Sequence, residues 1–144
     1  MLATAKKRNE KLSNGLVLDS WALLAYIQAE PAGVKVKSLL IEAAENRQPL
    51  WISSINLGEV WYVLARRSSG AFATHQLSEL AHIGIERADV DWASVLQAAD
   101  YKSRLKISYA DGFAPALAKQ RNAELVTGDR EFRALESEIK IRWL

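Results

Sequence analysis

The chain contains no cysteine and only two histidines in 144 residues. Without a thiol there is no disulfide framework, no thiolate nucleophile and no cysteine-based zinc site. His75 and His82 share one helical segment that carries no paired ligand motif, so they read as ordinary surface or core residues. Long apolar runs are also missing. The longest, Trp21–Ile27, falls far short of the roughly 20 residues needed to span a bilayer, so no membrane association is expected. The opening MLATAKKRNEKLSNG has basic residues after a very short apolar start and lacks the hydrophobic segment of a secretory leader, so a cytoplasmic location is expected. Charge of one sign is not in excess either, and a net charge of +2 does not by itself call for a nucleic-acid partner. The basic clusters at Lys6, Lys7, Arg8 and Lys11, at Arg66 and Arg67, and at Lys102, Arg104 and Lys106 each read as solvated faces or a loose arm.

What is present is an ordinary globular balance, 49% hydrophobic and 25% charged, in a length that suits one domain. Such a domain buries about 70% of the surface its unfolded chain exposes, so one core suffices. Residues 1–15 read as a basic N-terminal arm and residues 16–144 as the domain. Short strands are predicted at Leu16–Leu18, Leu50–Ser53, Gly84–Arg87, Glu124–Thr127 and Ile139–Trp143. Helical patterns run over Ser20–Gln28, Val34–Arg47, from a Ser54 cap to the Ser68-Ser69-Gly70 break, and over Phe72–His82, Asp91–Leu105, Ser108–Gln120 and Asp129–Leu135. Strands alternating with helices predict an α/β fold, a parallel sheet sandwiched between helices.

In open parallel sheets, functional groups gather at the carboxyl ends of the strands. Asp19 closes the first strand, and Asp129 follows the strand ELVT through Gly128. Glu59 in SSINLGEV and Asp111 in SYADGF occupy early helix positions. Helix capping accounts for Asp19 and Asp129 as well as chemistry does, and Ser108-Tyr109-Ala110-Asp111 has the form of a capping box. Glu59 is harder to explain in that way. Of its helical neighbours Ile55, Asn56, Tyr62 and Val63, only Asn56 is neither apolar nor aromatic, and a partly buried carboxylate needs a partner to stay ionised. Four acids gathered at one sheet end would repel unless a cation sat among them. Because every candidate ligand is a hard oxygen, Mg2+ or Mn2+ fits better than Zn2+.

The stretches VLDSWALLAYIQAEP, SSINLGEVWYVLARR, LKISYADGFAPALAKQRNAELVTGDREF and IKIRWL, in this order, resemble PIN-domain proteins, specifically the VapC-like toxin ribonucleases of toxin–antitoxin systems. The family's acids fall on Asp19, Glu59, Asp111 and Asp129. The resemblance implies a single PIN domain with a Rossmann-like parallel sheet and a metal-dependent endoribonuclease activity. It also implies a homodimer and inhibition by a cognate antitoxin. The chain departs from the pattern at its N-terminus, where many such proteins begin almost directly at the first strand.

On this reading Asp19 and Asp111 ligate the principal Mg2+ (or Mn2+), while Glu59 and Asp129 complete the cage, position water or bind a second ion. Thr127 is a candidate to hydrogen-bond the phosphate or an outer water, and Ser20 lies where a helix start offers N–H groups to an anion. Arg130 and Arg133 are candidates to meet RNA phosphates. Trp21, Trp51, Trp61, Trp92 and Trp143 sit mostly in apolar patterns that suit core or dimer packing better than base stacking. The segment from Val34 to Leu64, with Tyr62, is the expected groove for an amphipathic antitoxin segment. Competing readings fare worse: VLDSW lacks the paired acids of a receiver and the D-x-D of a haloacid dehalogenase-type hydrolase. A catalytically silent PIN-like module that binds RNA or protein is opposed by the complete acid set.

Overall fold

A computed structural model describes residues 14–144 of the chain. The expected basic arm, with its lysines and arginine, therefore lies outside the described residues except for Asn14 and Gly15. The first strand, β1 (Leu16–Leu18), has all three side chains buried, a run without polar alternation that suits a strand covered on both faces. It lies at the centre of a five-stranded sheet with β2 (Leu50–Ser53), β3 (Ile85–Ala88), β4 (Glu124–Thr127) and β5 (Ile141–Trp143). The strand order is β3-β2-β1-β4-β5, and every neighbouring pair is parallel. The chain thus steps outward from β1 to β3, then returns to lay β4 on the other side of β1. That reversal is a topological switch point, and a crevice opens there at the carboxyl ends of β1 and β4.

Helices α1 (Ser20–Ile27) and α2 (Gly33–Glu45) join β1 to β2, and α3 (Ser54–Arg67) and α4 (Gly70–His82) join β2 to β3. Helices α5 (Trp92–Arg104) and α6 (Phe113–Arg121) lead from β3 to β4. Successive strand side chains point to opposite faces, and β1 distributes its three residues accordingly. Leu16 and Leu18 pack with Leu23, Val36, Val60 and Leu64 from α1, α2 and α3. Val17 packs with Tyr101, Ala114, Leu117 and Phe132 on the other face. Each such aliphatic side chain contributes about 1.5–3 kcal/mol by leaving water. The edge strand β3 exposes Glu86 and Arg87, charges that discourage pairing with another sheet.

The predicted elements all form, with shifted bounds. The expected helix Ser108–Gln120 is divided into a 3-10 turn, Ala110–Gly112, and α6. Pro115 has no N–H to donate to residue 111, so a continuous α-helix from Ser108 is broken there, whereas α6 starts two residues earlier and places the proline in its first turn. Ser53, not Ser54, caps α3, accepting the Ile55 N–H at 3.3 Å. The last strand begins at Ile141 because Ile139 is still held in the turn after the 3-10 segment Arg130–Leu135, donating its N–H to Leu135 at 3.0 Å. No helix among the described residues is long and apolar enough to cross a membrane.

Two glycines give opposite predictions. A Cβ at Gly33 would collide with the Ala25 carbonyl oxygen, because α2 starts directly against the α1 backbone. Gly58, mid-way along α3, has no atom within 4 Å of such a Cβ. Gly33→Ala should destabilise the fold by about 1–3 kcal/mol, and Gly58→Ala should stabilise it by up to about 1 kcal/mol. Urea unfolding of both variants measures the two signs.

Candidate active site

Asp19 follows β1 directly and caps α1, its Oδ1 accepting the Ala22 N–H at 2.8 Å. Its Oδ2 accepts from the hydroxyl of Thr127, at the carboxyl end of β4. The same Thr127 Oγ1 accepts the Asp129 N–H at 3.0 Å. One buried hydroxyl therefore ties the acid after β1 to the acid after β4 across the switch point. Asp129 in turn caps the 3-10 segment, its Oδ1 accepting the Glu131 N–H at 3.0 Å.

Glu59 projects from the second turn of α3. Its Oε1 accepts from Asn56 Nδ2 at 2.8 Å and, more weakly, from Ser20 Oγ at 3.5 Å. Asn56 Nδ2 also donates to the Ala110 carbonyl at 3.1 Å, which fastens α3 to the turn that presents Asp111. That turn is shaped by Ser108, whose Oγ accepts the Asp111 N–H at 3.0 Å. Asp111, Asp129 and Glu131 offer carboxylate oxygens that all lie within 4.8 Å of one another.

The electrostatics are one-sided. Burial pushes Asp19 up from 3.8 to about 7, with the charges of Asp111 and Asp129 adding to the rise and the bonds from Thr127 and Ala22 opposing it. Burial, and then the charge of Asp111, raises Glu59 against the donors Asn56 and Ser20. Asp111 is raised by burial and by the charge of Asp129. None of the five ion pairs among the described residues involves any of these acids. Carboxylates held together without a basic partner among the described residues could hold a cation, and an all-oxygen donor set suits a hard divalent ion.

All four acids singled out in the sequence lie in this neighbourhood, and the structure adds two residues. Glu131 stands in TGDREF two residues beyond Asp129, a position already visible in that stretch. Asn56 precedes Glu59 by three residues on the same helix face, the spacing of side-chain neighbours. Thr127 is wholly enclosed, so its hydroxyl serves the two aspartates rather than a phosphate. Ser20 turns its hydroxyl to Glu59. The Arg130 guanidinium lies 4.7 Å from the centroid of the Trp143 ring.

A doubly wound parallel sheet with carboxylates collected at its switch point defines the class. The chain belongs to the PIN-domain family, whose model matches residues 16–138. A chain of the VapBC2 complex from Rickettsia felis, solved with a promoter DNA fragment, is similar over 88% of this chain and 96% of its own, with 20% identity and a TM-score of 0.71. DNA-bound VapBC from Salmonella typhimurium is similar over 89% and 96%, with 18% identity and a TM-score of 0.69. VapC20 of Mycobacterium tuberculosis, a sarcin–ricin loop cleaving toxin, is similar over 83% and 94%, with 20% identity and a TM-score of 0.66. No curated protein matches the sequence.

The raised carboxyls have a thermodynamic consequence. Between pH 3.8 and about 7 the folded chain keeps a proton on Asp19 that the unfolded chain has lost. This contribution is fully present below 3.8 and is lost as pH rises through 7. At about 1.36 kcal/mol per pKa unit it amounts to a few kcal/mol. In EDTA, thermal stability should therefore fall from pH 5 to pH 8, and Asp19→Asn, which keeps the cap through Oδ1 but presents an NH2 donor to Thr127, should flatten that slope. Coincident slopes for the two proteins would remove Asp19 as its source. Asn56→Ala, which strips both Glu59 and the Ala110 carbonyl of a donor, should cost about 1–3 kcal/mol in urea unfolding.

Proposed function

We propose that the chain is a metal-dependent endoribonuclease and the toxin of a toxin–antitoxin pair. The observation that carries this reading is the acid cluster at the switch point, with raised carboxyl groups and no basic partner among the described residues. Its oxygen donors suit Mg2+ or Mn2+. When bound, the divalent cation supplies charge for the scissile phosphodiester and lowers the pKa of the attacking water. Asp111, Asp129 and Glu131 are the acids closest to sharing one ion, and Asp19 adds its charge from the sheet.

The chain's own residues orient these groups. Thr127 fixes the Asp19 carboxylate and the Asp129 backbone together. Asn56 and Ser20 both bond Glu59 through Oε1, which leaves Oε2 to take a proton from water. A carboxyl raised from its ordinary range is suited to that task. RNA is the substrate class favoured by the likeness to VapC20 of Mycobacterium tuberculosis, a sarcin–ricin loop cleaving toxin. A cognate antitoxin is favoured by the likeness to the VapBC complexes. For the antitoxin, the chain offers a groove of about 400 Å³ between α1, α2 and α4, lined by Tyr26, Ile27, Val34 and Gln76. For a homodimer it offers Trp92 and Leu96, 69% and 52% exposed and one turn apart on α5.

Purified chain should cut structured RNA with Mg2+ or Mn2+ and stop on EDTA. Thr127→Val should slow cleavage by roughly 10–100-fold, the usual loss on removing an outer partner of a ligand, and Asp111→Asn or Asp129→Asn should slow it further. A full rate in either aspartate variant would remove that residue from the site. No cleavage by folded protein with either metal would overturn the nuclease reading, and the toxin assignment requires that expression alone arrest growth.

A further inference from the structure

Most of the tryptophans suit core or interface packing, but Trp21 has an unusual seat. It is the second residue of α1, two positions after Asp19, and the residue is 39% exposed. The ring lies against Gly128, the residue between Thr127 and Asp129, so closely that a Cβ there would fall inside the indole. The flat backbone of a glycine thus holds the indole at the lip of the crevice, between the acid that ends β1 and the acid that follows β4. Trp61 is equally exposed, yet its indole N–H donates to Thr74 at 3.1 Å along the contact of α3 with α4.

An acid cluster repels the phosphates of an approaching strand until a cation is present. The basic residue adjoining Asp129, Arg130, has its guanidinium over Trp143. A ring at this lip can add affinity that does not depend on charge. Aromatic rings beside a strand-binding cleft supply it by stacking on bases, largely without regard to sequence. A base can use such a ring only when one of its faces is free, which excludes the interior of a duplex. Resting on the nuclease reading above, we propose that Trp21 is a stacking platform that holds one unpaired RNA base beside the phosphate at the acid cluster.

The test titrates the full chain with an oligo(A) RNA dodecamer in EDTA at about 0.15 M NaCl, which screens the acid cluster beyond about 8 Å, following tryptophan emission and affinity. Binding should quench emission in the wild type and in Trp61→Phe, and Trp21→Phe should lose most of that quenching. Trp21→Ala should weaken binding about fivefold or more, the low end for one stacked base, while an abasic strand should bind wild type and Trp21→Ala alike. Undiminished quenching in Trp21→Phe, or equal affinity of wild type and Trp21→Ala for oligo(A), overturns the proposal. Should Trp21→Ala not fold, wild type binding the abasic strand as tightly as oligo(A) overturns it instead. Because no cation is present, a chain that binds through Trp21 but never cleaves RNA defeats only the nuclease reading. Cleavage with unchanged affinity in Trp21→Ala defeats only this proposal.

Discussion

The Thr127 hydroxyl donates to Asp19 and accepts from the Asp129 N–H, and the arrangement of the site follows from those two bonds. They are available only because β4 lies beside β1, in register Leu18 to Val126. A strand inserted between β1 and β4 would leave both aspartates at the carboxyl end of the parallel sheet but move them about 4.8 Å further apart, beyond the reach of one hydroxyl. The hydroxyl also partly offsets the cost of enclosing a carboxyl that is 5% exposed. Without it, Asp19 would be a buried acid whose only hydrogen-bond donor was the Ala22 N–H.

Around that bond the molecule gathers like charges, against the usual preference of a fold for opposite ones. Asp111 raises both Asp19 and Glu59, and Asp129 raises both Asp19 and Asp111. The strain is supported by two apolar layers, one on each face of β1, whose burial does not depend on the acids. Neutral donors, namely Asn56, Ser20 and Thr127, hold the carboxyl groups where a lysine or arginine would have cancelled them. A site so built keeps its negative potential for a cation from solution.

Much of this was legible in the chain because its signals are local. The unbroken apolar LVL announces a strand covered on both faces, and an aspartate directly after it announces a strand end and a helix start. Glu59 stood out because its helix neighbours are mostly apolar. Asn56 was passed over because a neutral amide carries no such signal, and its bond to Ala110 spans 54 residues. Glu131 was passed over because an exposed acid in a first turn reads as a cap. The role of Thr127 depends on strand order, which no local pattern encodes. The break before α6 was readable in principle from Pro115, since a proline favours the first turn of a helix over its interior.

The site also has an order in time. Asp19 and Glu59 are present once the first half of the chain is made, but the partner of Asp19 lies 108 residues further on. Contacts so distant in sequence form late, because the loop between them must close first. A chain cut short just before β4 holds Asp19, Glu59 and Asp111 but lacks both Asp129 and the Thr127 hydroxyl that ties Asp19 to it. The centre is completed only when nearly the whole domain is, so a partial chain lacks it.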